Sequence, residues 1–352
     1  MPSQSSIVIV GAGPVGLCTG IALLRDGYRV AIVDSGVRGA GWASGGMLAP
    51  LYEMAADPAC PDSYVQFALK SAEQWQQLAQ TCAIDLQAPS LFLARTQDEE
   101  GALSALQRRA ATLGLDLEPV SVPNGLTAQA AFRALGERAL DPRAALKSLL
   151  NQFQVLGGDL VIGQAETLAP HRVHLLDGRT LEAEAIVLAH GYGAASMGQS
   201  ISTLKALSPV KGQMVRVAHP GMASPIVRAG RIYLLSRGGS LIIGASSDPL
   251  AAPTISVDID PVLALLAEAK AILPSLDASP VVEAWAGLRP NTPDHLPLVG
   301  ASGAAGIYLA TGTYRNGWLL APAIGTYLSQ LISGKTLDGV LMNLFAPERF
   351  SS

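Results

Sequence analysis

Arg289 sits in "WAGLRP", an apolar stretch closed by proline. A cation in such company needs a partner, and a guanidinium grips a carboxylate through two parallel hydrogen bonds. That partner is either a ligand carboxylate or a buried acid of the chain itself, and spacing alone leaves both open. A second chemistry is written near the start of the chain. Gly11-Ala12-Gly13-Pro14-Val15-Gly16 matches GxGxxG, and Asp34 follows Gly16 by 18 residues. In such a turn Gly11 permits the tight bend, Gly13 lets a pyrophosphate reach the backbone, and Gly16 lets helix and strand pack closely. The helix that opens there presents free N–H groups and partial positive charge to phosphates. A carboxylate at Asp34 is placed to accept hydrogen bonds from ribose hydroxyls.

The third feature is "GAGWASGGML", which has four glycines in the eight residues from Gly39 to Gly46. Nothing in its composition favours helix or strand. The stretch begins at the carboxyl end of the second strand, where a dinucleotide would lie. A flat isoalloxazine ring with its own hydrogen-bonding edge needs close backbone approach there, whereas an NAD site leads into ordinary alternating structure.

The elements that must position these residues are legible from periodicity. Ser6–Val10 and "YRVAIVD" read as buried strands flanking a helix at "PVGLCTGIALLRDG", which together make a βαβ unit. Tyr64–Cys82 carries an amphipathic stripe of Val65, Ala68, Leu69, Ala72, Trp75, Leu78 and Cys82. Residues 87–142 mix short strands with charged helix. A hairpin through Asp177-Gly178 precedes a buried strand ending at His190-Gly191, and "RIYLLSRGGSLIIGA" turns at Gly238-Gly239. A helix over Pro261–Leu273, a Pro-rich loop, a strand at "GIYLATG" and a helix from Gly317 to Ile332 complete the chain. The expected fold is α/β: a Rossmann-like dinucleotide domain interleaved with a smaller α+β domain built on an antiparallel sheet. Segments 1–85, 142–205 and 283–352 are assigned to the first domain, and 86–141 and 206–282 to the second.

The chain has 352 residues, is 49% hydrophobic and carries a net charge of -4, so it is globular and has no excess of cations for nucleic acid. Cys18, Cys60 and Cys82 form no CxxC pair, which points to a reducing cytoplasm without a disulfide framework. The opening "MPSQSSIVIVGAGPVG" lacks a basic leader, and no long apolar run predicts a membrane span. His171 and His174 are three apart in an expected strand and face opposite sides, so no metal site is expected.

With these residues in view, the chain resembles the D-amino-acid oxidase superfamily of FAD-dependent oxidoreductases, and within it the glycine oxidase branch linked to thiamine biosynthesis. "GWASGGMLAP" after the GxGxxG–Asp unit carries the likeness. So do "LDPRAAL", "PVKGQM", "AWAGLRPNTPDHLPLVG" and "TGTYRNGWLLAPA", in order. The resemblance implies a glutathione-reductase-type fold and non-covalent FAD contacted at Gly11, Gly13, Pro14, Val15, Gly16, Asp34, Ser35, Gly41, Gly45, Gly46, Met47 and Thr167. The run Thr313, Tyr314, Asn316, Gly317, Trp318 and Leu319 joins that set. It implies that Arg289 and Tyr233 hold the substrate carboxylate and that Arg315 meets substrate or flavin.

The implied reaction is oxidative deamination of glycine or a similar small amine-acid by hydride transfer to flavin N5. Dioxygen restores the flavin and yields hydrogen peroxide, and the imine goes to hydrolysis or to a thiazole synthase. No acid–base dyad stands out, and this chemistry needs none. Homo-oligomers are common in the family. Glu53 matches a loop acid at the active-site entrance, or is an exposed loop acid. His190 stands where a small residue is usual. Ser246-Ser247 replaces a bulkier apolar residue, which leaves sarcosine, other N-substituted glycines and D-amino acids as alternative substrates. The flavin domain of a tRNA-modifying enzyme shares this architecture, but the charge of -4 opposes it.

Overall fold

The computed structural model describes residues 6–350 apart from 56 and 58. Residues 1–5, the start of the opening stretch read for a leader, lie outside the described residues. Strand β1 (Ser6–Val10) is buried along nearly its whole length, as a strand covered on both faces must be. It lies at the centre of a six-stranded sheet between Ala185–Leu188 and β2 (Arg29–Asp34), parallel to both. Asp159–Ile162 extends the sheet beyond β2, while Ile307–Thr311 and the antiparallel edge strand Leu298–Ala301 extend the other side.

Helix α1 (Pro14–Arg25) connects β1 to β2 and starts with proline at its first turn, where a missing N–H costs nothing. Its neighbours pack so tightly that glycine is obligatory. A Cβ on Gly16 would lie 1.9 Å from the Gly11 carbonyl oxygen, and Gly11 itself has φ +108°. One face of the sheet is covered by α1, Asp62–Thr81, Pro142–Val155 and Gly317–Ile332, which share one apolar core. The other face packs against a three-stranded sheet formed by Ala165–Ala169, Arg172–Leu175 and Thr180–Glu182.

The second sheet has eight strands and is therefore wider than the first. It is antiparallel except where Ile226–Ala229 runs parallel to Ser90–Ala94. Helix Ile259–Ile272 covers one face of it, and Gln97–Thr112 packs on the Phe92 side. Two expectations need correction. The Pro-rich segment begins as an eleven-residue strand, Val281–Asn291, paired with Ser208–Ala218 along its length. Pro290 is tolerated because this strand is the sheet edge. The glycine stretch also contains local structure: Ala40–Ala43 forms one helical turn, and Met47–Leu48 pairs with Arg138–Ala139.

Among the described residues no helix is long and apolar enough to cross a membrane. The two helices beneath the dinucleotide turn meet backbone to backbone: a Cβ on Gly325 would sit 2.8 Å from the Cys18 carbonyl oxygen. Gly325→Val forces α1 away from its partner and should cost about 2 kcal/mol. Thermal unfolding of the purified variant should therefore start several degrees lower. An unchanged melting curve would show that this contact does not set the helix spacing.

Candidate active site

At the end of β1 the chain turns through Gly11, whose N–H donates to Val33 O at 2.8 Å. Asp34 closes the turn from β2: its Oδ2 accepts from Ala12 N and its Oδ1 from Gly36 N, both at 2.7 Å. Gly13 differs from its neighbours. A Cβ there would meet nothing within 4 Å, and as the residue capping α1 it provides no side-chain hydrogen bond. The amino end of α1 therefore faces open space with its N–H groups uncapped by a side chain. His190 stands beside this turn. Burial pulls its pKa below the usual imidazole value, and the Asp34 carboxylate pushes the other way.

The glycine stretch is held by side chains that donate to alternate carbonyls. Trp318 Nε1 donates to Gly41 O at 2.9 Å, Trp285 Nε1 to Ala43 O at 2.7 Å, and Arg237 Nη2 to Gly45 O at 2.6 Å. The Arg143 guanidinium stacks 3.7 Å above the Trp42 ring and pairs with Glu283 through two bonds. Three glycines are required by the protein itself. A Cβ on Gly41 would strike Pro14 Cδ at 2.5 Å, one on Gly45 the Tyr233 hydroxyl at 2.6 Å, and one on Gly46 the Leu140 carbonyl oxygen at 2.2 Å. The missing side chains there follow from packing alone.

Beyond the stretch lie the cations. Arg289 leaves its strand over Gly212, where a Cβ would be 2.5 Å from the guanidinium, so glycine at 212 makes the room. Both Arg289 Nη atoms donate to one acceptor, Ser246 O, each at 3.1 Å. Among the described residues it forms no ion pair with an acid, unlike Arg228 and Arg315. Burial lowers its pKa from the usual arginine value. The internal-acid alternative for Arg289 thus finds no acid among the described residues.

The Tyr233 hydroxyl faces Met214 Sδ at 3.6 Å, and its pKa is raised by burial against the opposing pull of Arg289 and Arg315. Arg315 Nε meets Glu53 Oε2 at 3.1 Å, and that carboxylate raises the arginine's pKa. Glu53 is only 9% exposed, so it is not the free loop acid that was one of its two readings.

A family model for FAD dependent oxidoreductases matches residues 6–331. The chain belongs to that family. Glycine oxidase of Pseudomonas putida is 30% identical to it over 94% of this chain and 95% of its own length. The bifunctional protein ThiO/ThiG of Synechocystis is 27% identical over 99% of this chain, which covers 55% of that longer protein. The crystal structure of glycine oxidase from Geobacillus kaustophilus superimposes with a TM-score of 0.88 at 27% identity, covering 98% of this chain and 99% of that one.

As a member of this family the chain is an FAD-dependent oxidoreductase, and its residues fit that cofactor. The open cradle at Gly13, the uncapped α1 terminus and the Asp34 carboxylate suit a pyrophosphate and a ribose. Val15 is buried beneath the turn, and Ser35 follows Asp34 half-buried. Thr313, Asn316 and Leu319 are buried at the start of helix Gly317–Ile332, whose capping residue Asn316 makes no side-chain cap bond. Tyr314 has φ +47° and stacks on His295 at 4.9 Å. Trp318 is committed to the protein, bridging Gly41 to Trp75, whose Nε1 donates to Trp318 O at 2.7 Å. Met47 packs with Trp42 and Tyr233 around Met214. Thr167 lies in the three-stranded sheet opposite His174 with its side chain exposed.

Sequence reading missed Arg237, Gly212, Arg228 and Glu137. Arg228 and Glu137 are buried charges within otherwise ordinary strand and loop sequence, and only tertiary structure brings them together. The described residues contain no cluster that could hold a metal ion.

Asp34→Ala removes the acceptor for Ala12 and Gly36 and the carboxylate that would meet a ribose. FAD affinity measured by titrating the apoprotein should fall on the order of a hundredfold. Turnover of the protein that still holds FAD should change far less. Unaltered affinity would remove Asp34 from the cofactor site.

Proposed function

We propose that this chain oxidises glycine or a similarly small amine-acid, with the substrate carboxylate held by Arg289. The supporting observation is a half-buried guanidinium without a carboxylate, whose two Nη atoms share a single backbone carbonyl. Two parallel donors aimed at one oxygen have capacity for the two oxygens of a carboxylate. The Tyr233 hydroxyl, within the field of Arg289, adds a third donor to the same group.

Fixing the carboxylate at these donors fixes the α-carbon, so the chain's contribution is orientation, exclusion of water and a preset field. FAD held at the GxGxxG turn and the glycine stretch would supply the two-electron oxidation of the neutral amine, a hydride leaving the α-carbon, with dioxygen as the final acceptor reduced to hydrogen peroxide. The amino end of helix Gly317–Ile332 and the Arg315 charge stabilise negative charge that develops nearby. The product imine hydrolyses or passes to a thiazole synthase, a hand-off supported by the name of the fused relative. FAD is held non-covalently: Cys18 and Cys82 are buried, Cys60 is half-buried, and none lies in the run Thr311–Leu319. The interleaved division at 1–85, 142–205 and 283–352 against 86–141 and 206–282 belongs to the same proposal, as do a cytoplasmic location and a homo-oligomer.

A second substrate reading, N-methylglycine or another N-substituted glycine, is favoured by Ser246 and Ser247. Ser246 Oγ accepts from Gln213 N at 2.8 Å, and the Ser246 carbonyl that receives Arg289 thus belongs to a residue with a small side chain.

Arg289→Lys keeps the charge and loses the fork, and Arg289→Ala loses both. Catalytic efficiency kcat/KM for glycine or N-methylglycine should fall in that order, by about 3 kcal/mol or more for alanine. A plain amine without the carboxylate should lose little, and FAD content should survive. Equal losses for both substrate types would assign Arg289 to the fold or the flavin and end this reading.

A further inference from the structure

Three arginines reach the site, and the chain pairs two of them with its own acids. Glu53 Oε2 lies 3.1 Å from Arg315 Nε, and Glu53 Oε1 lies 3.5 Å from Arg315 Nη2 and 3.7 Å from Arg228 Nη1. Arg228 also meets Glu137 Oε2 at 3.6 Å and lies 3.9 Å from the Tyr52 ring centroid. The backbone that carries Glu53 is anchored: its N–H donates to Ala49 O at 3.0 Å, and the preceding Tyr52 is held by Glu137 Oε1 on its N–H and by Gly230 O, which accepts from its hydroxyl. Arg315 keeps 38% of its side chain exposed, whereas Glu53 is nearly covered. Tyr314 N donates to Pro290 O at 2.8 Å, which ties the residue before Arg315 to the one after Arg289, and the Arg315 charge joins burial in lowering Arg289's pKa, so the two cations border one space.

We propose that Glu53 is a specificity-determining residue: it acts as a built-in carboxylate that occupies Arg315 and restricts the enzyme to amine substrates with one carboxylate. Without it, Arg289 and Arg315 would offer two cationic anchors in one pocket, the arrangement that suits an amino-dicarboxylate. With it, Arg289 is the one arginine of the three lacking an acid among the described residues. A second substrate carboxylate would have to approach a fixed anion in a partly desolvated site, where charge repulsion is strong. Sequence alone does not reveal this, because Glu53, Arg228 and Arg315 are far apart in the chain. The inference rests on the reading of Arg289 as the carboxylate anchor.

The test uses the holoenzyme and three secondary amines: N-methylglycine, N-(carboxymethyl)glycine and its neutral isostere N-(carbamoylmethyl)glycine. In the unmodified enzyme kcat/KM for the amide should exceed that for the dicarboxylate at least tenfold. In Glu53→Gln, which keeps the shape and removes the charge, that ratio should shrink at least tenfold. A merely structural Glu53 would lower all three substrates together and leave the ratio unchanged, which would overturn the proposal. Equal use of amide and dicarboxylate by the unmodified enzyme would overturn it as well, without needing any variant to fold. If the unmodified enzyme oxidises neither glycine nor N-methylglycine, the underlying function fails, and that outcome is separate from a failed ratio.

Discussion

A guanidinium carried out of water needs negative charge or several acceptors around it, and leaving it with one backbone carbonyl is costly. Arg289 is in that position, and the surrounding structure is arranged to keep it there. Gly212 clears the space under the guanidinium, and Ser246 O holds both Nη atoms in one direction. The residue sits on the edge strand of the wider sheet, just before the chain crosses to the six-stranded sheet. The crossing is tied back by Tyr314 N, which donates to Pro290 O at 2.8 Å. The strand that presents Arg289 is thereby coupled to the loop that opens helix Gly317–Ile332.

The glycine stretch provides the other coupling. Its carbonyls at 41, 43 and 45 are taken by Trp318, Trp285 and Arg237, which come from three different elements. Trp318 belongs to the helix beneath the dinucleotide turn, whereas Trp285 and Arg237 belong to the eight-stranded sheet. One loop thus fixes the spacing between the sheet that carries Arg289 and Tyr233 and the sheet that carries the GxGxxG turn. Glycine is needed there because Pro14, Tyr233 and Leu140 press in on Gly41, Gly45 and Gly46. Tyr233 is among the residues that crowd the loop, so the loop's shape and the position of that hydroxyl cannot vary independently.

How much of this was legible in the sequence follows from which interactions are local. The βαβ unit, the amphipathic helix over Asp62–Thr81 and the hairpin at Gly238-Gly239 follow from periodicity and turn chemistry, and all three form. Val281–Asn291 was hidden because Gly287, Pro290 and the prolines that follow read as loop, and only its edge position makes Pro290 acceptable. The GxGxxG turn was legible by its spacing, although only Gly16 answers to a contact within the motif, at Gly11 O, while Gly11 is crowded by Ala189 O. The glycine stretch was readable as special but not as to cause: apart from Pro14, its constraints come from distant parts of the chain, including Leu140, Tyr233, Trp285 and Trp318. Arg289 announced itself by composition, yet only the structure shows that no acid answers it. Arg228, Glu137 and the pairing of Glu53 with Arg315 left no local pattern at all.

The most direct measurement is a crystal structure of the holoenzyme with glycolate, which keeps glycine's carboxylate and replaces the amine by a hydroxyl. The account predicts both carboxylate oxygens on the two Nη atoms of Arg289, with the Tyr233 hydroxyl on one of them and Glu53 still paired to Arg315. Glycolate bound elsewhere, with Arg289 still turned wholly to Ser246 O, would contradict it.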